Sequence, residues 1–198
     1  MKTKLKKIAF YALAILLSGC VPSLHPLFSD NEIIFDANLV GKWSEPNSSD
    51  SWEFKPAANK KYEFIYTDGR GIGKFDARLG KIGSSTFLDI FPKEPNLTEN
   101  DFYKVHLLPA HSFIKIELSK DRLKFGVMNP DSVKKLLKSD PNIIKHEQTD
   151  RIILTASTKE LQAFIQKYGS NKKFELFGKL EYNKPMHRAK ARDVNSVK

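Results

Sequence analysis

Cysteine is almost missing from this 198-residue chain; Cys20 is the only one. No disulfide can form within it. Long hydrophobic runs are missing too. The longest, residues 8–17, has ten residues, about half of the roughly 20 that a helix needs to cross a bilayer core. Acidic residues are outnumbered, 23 against 33 lysines and arginines, for a formal charge of +10. The excess sits at the two ends: Lys2, Lys4, Lys6 and Lys7 precede the apolar run, and Lys184, Arg188, Lys190, Arg192 and Lys198 face Asp193 alone. The body between is close to neutral. That excludes the concentrated basic face of a nucleic-acid-binding domain, so no nucleic-acid partner is expected. Catalytic signatures are also lacking. No serine lies in a Gly-x-Ser-x-Gly elbow, and no Ser, His and Asp set is legible from chain order. The stretch Gly69-Arg70-Gly71-Ile72-Gly73-Lys74 has no second half of a P-loop and leads into a strand. No internal repeat is present. The expectation is a protein that is not an enzyme, with no catalytic residue, no metal and no cofactor.

What is present begins at the amino-terminal end. Four lysines, a short apolar run and the small residues Ser18 and Gly19 before Cys20 have the layout of an export signal, cleaved between Gly19 and Cys20. Leu17-Ser18-Gly19-Cys20 resembles the lipobox of bacterial lipoproteins. The resemblance implies diacylglyceryl transfer to the Cys20 thiol, cleavage before it and acylation of the new amino terminus. Two or three acyl chains make a lasting anchor where one is marginal, and acylation removes a free thiol that would be a liability in an oxidising compartment. The membrane partner is then reached through acyl chains on Cys20. Asp after the cysteine favours inner-membrane retention in that family. Val21 stands here, so a periplasm-facing place on the outer membrane is favoured where the cell has one.

The rest divides into a tether over residues 20–36, a single domain over 37–183 and a basic flexible tail over 184–198, after a signal peptide over 1–19. The tether carries Leu24, Leu27, Phe28, Ile33, Ile34 and Phe35, too apolar for a free linker, so part of it is expected to pack along the domain. Short segments rich in aromatic and β-branched residues follow at 39–45, 51–55, 61–67, 73–79, 85–91, 103–108, 112–118 and 122–127. They are separated by turn signals such as Asp68-Gly69. Eight such strands predict an antiparallel meander, closed or nearly closed so that no edge is left bare. Two short amphipathic helices should pack on it. Asn129 and Pro130 start the first, with Val133, Leu136 and Leu137 on one face. Ser157 and Glu160 form a capping box for the second, Leu161, Phe164, Ile165 and Tyr168 share its apolar face, and Gly169 stops it. Residues 151–155 and 174–182 also read as strands. The fold class is therefore mainly β, a barrel-like antiparallel sheet with two helices.

Gly41-Lys42-Trp43 is similar to the Gly-x-Trp of the first strand in lipocalin-like barrels. That resemblance implies a Trp43 that plugs the closed end, a wide end that takes a small apolar ligand, and an arginine from the last strand packed over the tryptophan, for which Arg151 is the guess. Without the family, Gly41 is a bulge or close-approach position and Trp43 a core aromatic. Asp89 shares a strand face with Phe87 and Phe91; pointing inward, it could meet a ligand's amine, and otherwise a lysine or a backbone amide. His106 and His111 flank what reads as a tight turn, across which the imidazoles could approach with Asp89 or Glu117, although the spacing matches no zinc motif. Trp43, Tyr66, Asp89, His106 and His111 are thus the candidate ligand-binding residues. Two functional classes fit: a binding module for a small amphipathic ligand or an envelope protein, and a structural or assembly accessory with a solid barrel. The lumen decides between them. If Tyr62, Phe64, Tyr66, Phe75 and Phe87 fill it no ligand fits, while a void of roughly 300 Å³ or more would admit one.

Overall fold

The computed structural model describes residues 21–94, 98, 100–171, 174–178 and 186–188. The expected signal segment, with Gly19 and Cys20, lies outside the described residues. Among the described residues ten strands form: β1 (Gly41–Ser44), β2 (Ser51–Pro56), β3 (Tyr62–Asp68), β4 (Gly71–Ile82), β5 (Ser85–Pro92), β6 (Ser112–Leu118), β7 (Arg122–Val127), β8 (His146–Gln148), β9 (Ile152–Leu154) and β10 (Met186–Arg188). The helices are α1 (Asp101–Lys104), α2 (Pro130–Ser139) and α3 (Thr158–Tyr168), with a 3₁₀ turn at Ala37–Leu39. Eight strands close into an antiparallel barrel in the order β1-β10-β7-β6-β5-β4-β3-β2, and β8 and β9 form a separate hairpin. None of the described helices is long and apolar enough to cross a membrane.

Local chemistry explains most of these elements. Asn129 accepts hydrogen bonds from the Asp131 and Ser132 amides ahead of Pro130 at the start of α2, the arrangement in which proline loses nothing at a helix's first position. Ser157 and Glu160 make both bonds of the capping box at α3. That helix ends at Gly169 in right-handed geometry, where a Cβ would stand 2.6 Å from the Ile165 carbonyl oxygen. Between β3 and β4 the turn is closed by Asp68, whose carboxylate accepts from the Arg70 and Gly71 amides at 2.8 and 3.1 Å.

Three expectations are corrected. Residues 103–108 make no strand, because Asn100 caps the Tyr103 amide at 2.9 Å and starts the short helix α1. The eighth barrel strand is instead β10, inside the stretch expected to be a flexible tail. Its Met186 pairs with Leu123 and its Arg188 with Trp43, so the backbone groups of β1 and β7 find partners there. The described part of 174–182, residues 174–178, is turn and not strand.

Two cores result. Inside the barrel lie Trp43, Trp52, Phe54, Tyr62, Phe64, Leu79, Leu88, Ile114, Ile116 and Met186. Outside it, α2, α3 and the β8–β9 hairpin bury Phe87 and Phe113 of β5 and β6 against Leu136, Leu154, Leu161 and Phe164. Strand β5 is therefore buried on both faces, which is why 87–91 reads as an almost unbroken apolar run broken only by Asp89.

Candidate functional site

The stretch expected to be a tether is a strap on the barrel wall. Val21, Leu27, Phe28 and Ile33 are buried. At its start the Ser23 amide donates to the His111 carbonyl at 2.9 Å, and His111 returns the bond at 2.8 Å. On the other side Leu24 and Leu154 donate to Leu154 and Pro22 carbonyls, each at 2.9 Å. Farther along, three side chains capture successive strap carbonyls: Thr158 that of Pro26 at 2.7 Å, Gln162 that of Leu27 at 2.9 Å and Arg78 that of Phe28 at 3.0 Å. Gly80 gives Phe28 its seat, since a Cβ there would lie 2.5 Å from the ring.

Asp89 is the centre of this clamp. Its face of β5 turns away from the lumen and into the covered layer between barrel and strap, the second of the two alternatives left open by the sequence. The side chain has no exposed surface. Oδ2 accepts the Leu27 amide at 2.9 Å, and Oδ1 lies 2.7 Å from His111 Nδ1. A buried carboxylate needs such partners; a backbone amide was among those expected, and His111 was expected near Asp89 only together with His106. Phe91 covers the His111 ring at a centroid distance of 4.6 Å. Among the described residues no hydroxyl hydrogen bonds to His111 in a way that would extend the pair to a nucleophile.

His106 goes elsewhere. It is exposed beyond α1, with its ring against Phe102 at 5.1 Å, because the turn foreseen between two strands is a helix end. His106 and His111 form no pair, and among the described residues no three His, Cys, Asp or Glu side chains gather as a metal site.

Trp43 sits at the closed end with no exposed surface, its indole N–H donating to the Leu39 carbonyl at 2.9 Å. The arginine over it is Arg188 of β10, 4.6 Å from the ring centroid, and the guanidinium also donates to the Asn38 and Val40 carbonyls. Arg151 is the wrong residue: it is exposed in the β8–β9 turn beside Asp150. The glycine of Gly-x-Trp gains a reason here. Gly41 has φ +125°, and a Cβ would come 2.8 Å from Arg188 Nη1, so only glycine lets the guanidinium reach its place. Outside this end a wide depression beside Asn38, Lys120 and Asp121 is open to solvent.

The lumen above Trp43 is filled by rings. Trp52 meets Phe125 at 4.3 Å and Phe64 at 5.2 Å, while Phe64 stacks on Phe54 at 4.8 Å and on Phe75 at 5.5 Å. Tyr66 is half-buried within the same barrel layer; burial, then the nearby Asp50 and Asp68 charges, raise its phenol above the ordinary value. Of the five rings named as possible fillers, Tyr62, Phe64, Tyr66 and Phe75 belong to this core. Phe87 does not, and packs on Phe177 in the outer layer at 5.0 Å. What is left is a cleft of 210 Å³ at the opposite end, the mouth, between Val21, Phe75, Ile90, Ile114 and Val127.

The five candidates thus do not converge. Trp43 plugs one end, Tyr66 lies within the barrel, Asp89 and His111 clamp the strap outside it, and His106 is at the surface. Val21, Ile90 and Val127 at the mouth were not foreseen as site residues; the signal available was that Ile90 and Val127 end apolar strands just where chain turns begin. The fold and these sites define a closed eight-stranded antiparallel barrel with a helical outer layer. No known family model matches the chain, and no curated protein or solved structure matches it significantly.

Proposed function

We propose that this protein is a lipid-anchored accessory of the bacterial cell envelope, acylated at Cys20, whose lipocalin-like barrel serves as a solid scaffold and not as a carrier. The observation that carries this reading is the aromatic packing of the lumen, from Trp43 through Trp52, Phe54 and Phe64 to Phe75. Such an interior leaves its exterior to meet envelope components, in the periplasm and most simply at the outer membrane. The roles proposed for its polar groups are structural: Asp89 and His111 bond each other and the strap, and Arg188 bonds the closed end.

A second reading, a binding module for a slender apolar ligand, draws on the mouth cleft. Its 210 Å³ is below the roughly 300 Å³ at which ordinary ligand sites begin, so it would take one alkyl chain segment and no bulky group. Native mass spectrometry of protein purified gently from membranes distinguishes the two. The scaffold reading expects the mass of the acylated chain alone; a further small mass released on denaturation would overturn it in favour of the binding module. Anchoring is tested separately by growing cells on a clickable fatty acid. Label is expected on the wild-type chain and absent from Cys20→Ala, and equal label on both would remove Cys20 as the acylated residue.

A further inference from the structure

The strap leaves no slack between the proposed anchor and the barrel. Val21 is 2% exposed and lines the mouth cleft, and residues 22–24 are held on both sides by the backbone bonds to His111 and Leu154. Residue 20 is one peptide unit away, ~3.8 Å between Cα atoms. Acyl chains on Cys20 would therefore start beside the mouth, with no linker in which the barrel could turn over.

The mouth is also where most of the large apolar side chains exposed among the described residues lie. The β5–β6 connection presents Phe102 (79%), Val105 (74%) and Leu108 (75%), with Tyr103 and Leu107 beside them. Ile72 in β4, next to the β3–β4 turn, and Val127 at the end of β7 add to the same end of the barrel. Of the nine large hydrophobics exposed among the described residues, seven lie on this connection or at this end of β4 and β7. A cluster of this kind marks a binding surface and not a random scatter, and Phe102 and Tyr103 of α1 with Val105 just after it suit the headgroup and acyl boundary of a bilayer. Its position beside the acylated residue identifies the occupant.

The geometry points to a membrane-facing mouth: the anchored protein lies with the open end of its barrel on the bilayer and inserts the apolar side chains of residues 102–108 into the leaflet. This rests on the proposed acylation of Cys20. The acylated full-length protein is reconstituted into vesicles of phosphatidylethanolamine and phosphatidylglycerol as the single-cysteine variants Val105→Cys, Leu108→Cys and Lys120→Cys, the last in the β6–β7 turn at the closed end. Thioether formation blocks Cys20, so a nitroxide attaches only to the introduced thiol. Intact mass reports the acyl chains, and power saturation reports access to oxygen and to a water-soluble nickel chelate. Labels at 105 and 108 are expected to lose nickel access several-fold and gain oxygen access relative to 120. If the chain carries acyl groups and all three labels meet nickel equally, the orientation is wrong while the anchor stands. A chain without acyl groups removes the anchor and the orientation together. Protection seen in native membranes but not in pure lipid would assign the surface to a protein partner and overturn the leaflet as occupant.

Discussion

At the closed end of the barrel Trp43 has no exposed surface and meets Arg188, Leu39 and the 3₁₀ turn, while at the mouth Ile72 and Val127 remain 67% and 38% exposed. One end ties its groups together: the buried indole N–H bonds the Leu39 carbonyl, and the exposed Arg188 guanidinium, stacked on the ring, bonds the carbonyls of Asn38 and Val40. The other leaves apolar surface uncovered beside a cleft. The difference sets a tightly packed end against one that keeps apolar side chains exposed. If packing energy is concentrated at the closed end, the mouth is free to carry exposed side chains that folding does not require. The strap joins the two, beginning at the mouth with Val21 and reaching the lower wall where the Ile34 amide donates to Leu79 at 2.8 Å.

The largest effect should come from emptying the closed end. Trp43→Ala removes the plug and the ring under the Arg188 guanidinium, and a buried Trp→Ala change costs about 3–5 kcal/mol. Urea unfolding should show that loss with an unchanged m-value, and a Tm lower by roughly 2–4 °C per kcal/mol. A loss below about 1 kcal/mol would mean that the closed end is not the stability centre and would erase the contrast between the ends.

Next is the clamp that couples them. Asp89→Ala leaves the Leu27 amide and the His111 imidazole without the carboxylate between them, and removing one partner of a buried pair costs about 3 kcal/mol or more. Hydrogen exchange sharpens this prediction. The amides of Ser23, Leu24 and Leu27 should open faster, while the Trp43 strand keeps its protection at conditions where the variant stays folded. Equal loosening at both ends would show that the barrel and its strap unfold as one unit. A milder lesion of the same coupling is Gly80→Ala, where a methyl would press on the Phe28 ring. Overpacking of that kind costs about 1–3 kcal/mol, and equilibrium denaturation should find the variant less stable than wild type.

How much of this was legible in the sequence follows from where each signal lies. Strands β2 to β7 announce themselves through aromatic and β-branched residues bounded by turn signals, with clear alternation in β3 and β4, and Asn129, Pro130, Ser157 and Glu160 mark helix starts by bonds made within one turn. β10 is three residues long and has partners more than sixty residues away in Leu123 and Trp43, so no local pattern could place it; its arginine and histidine read as part of a charged tail. Residues 103–108 failed for the opposite reason. They carry strand-like side chains, yet they lie on no sheet, and Asn100 capping decided their conformation. Asp89 was found with its facing left open, because alternation tells which residues share a face and not which face is the lumen. In a strand buried on both sides that choice belongs to the helices of the outer layer, which stand far off in the chain.

The smallest expected effect is at the mouth. Leu108→Ser exchanges an apolar side chain that is 75% exposed for a polar one, and substitutions at such surface positions stay within about 0.5 kcal/mol. Denaturation should find the variant as stable as wild type, with the aromatic core of the barrel intact in near-ultraviolet circular dichroism. If Leu108→Ser instead lowers stability by more than about 1 kcal/mol, residues 102–108 pack on the barrel, and the mouth is no less committed to folding than the closed end. An unchanged stability means that the chain keeps Phe102, Val105 and Leu108 in water for a reason outside its own fold. Exposed apolar area of that size is a standing risk of self-association, which a covering surface outside the fold removes.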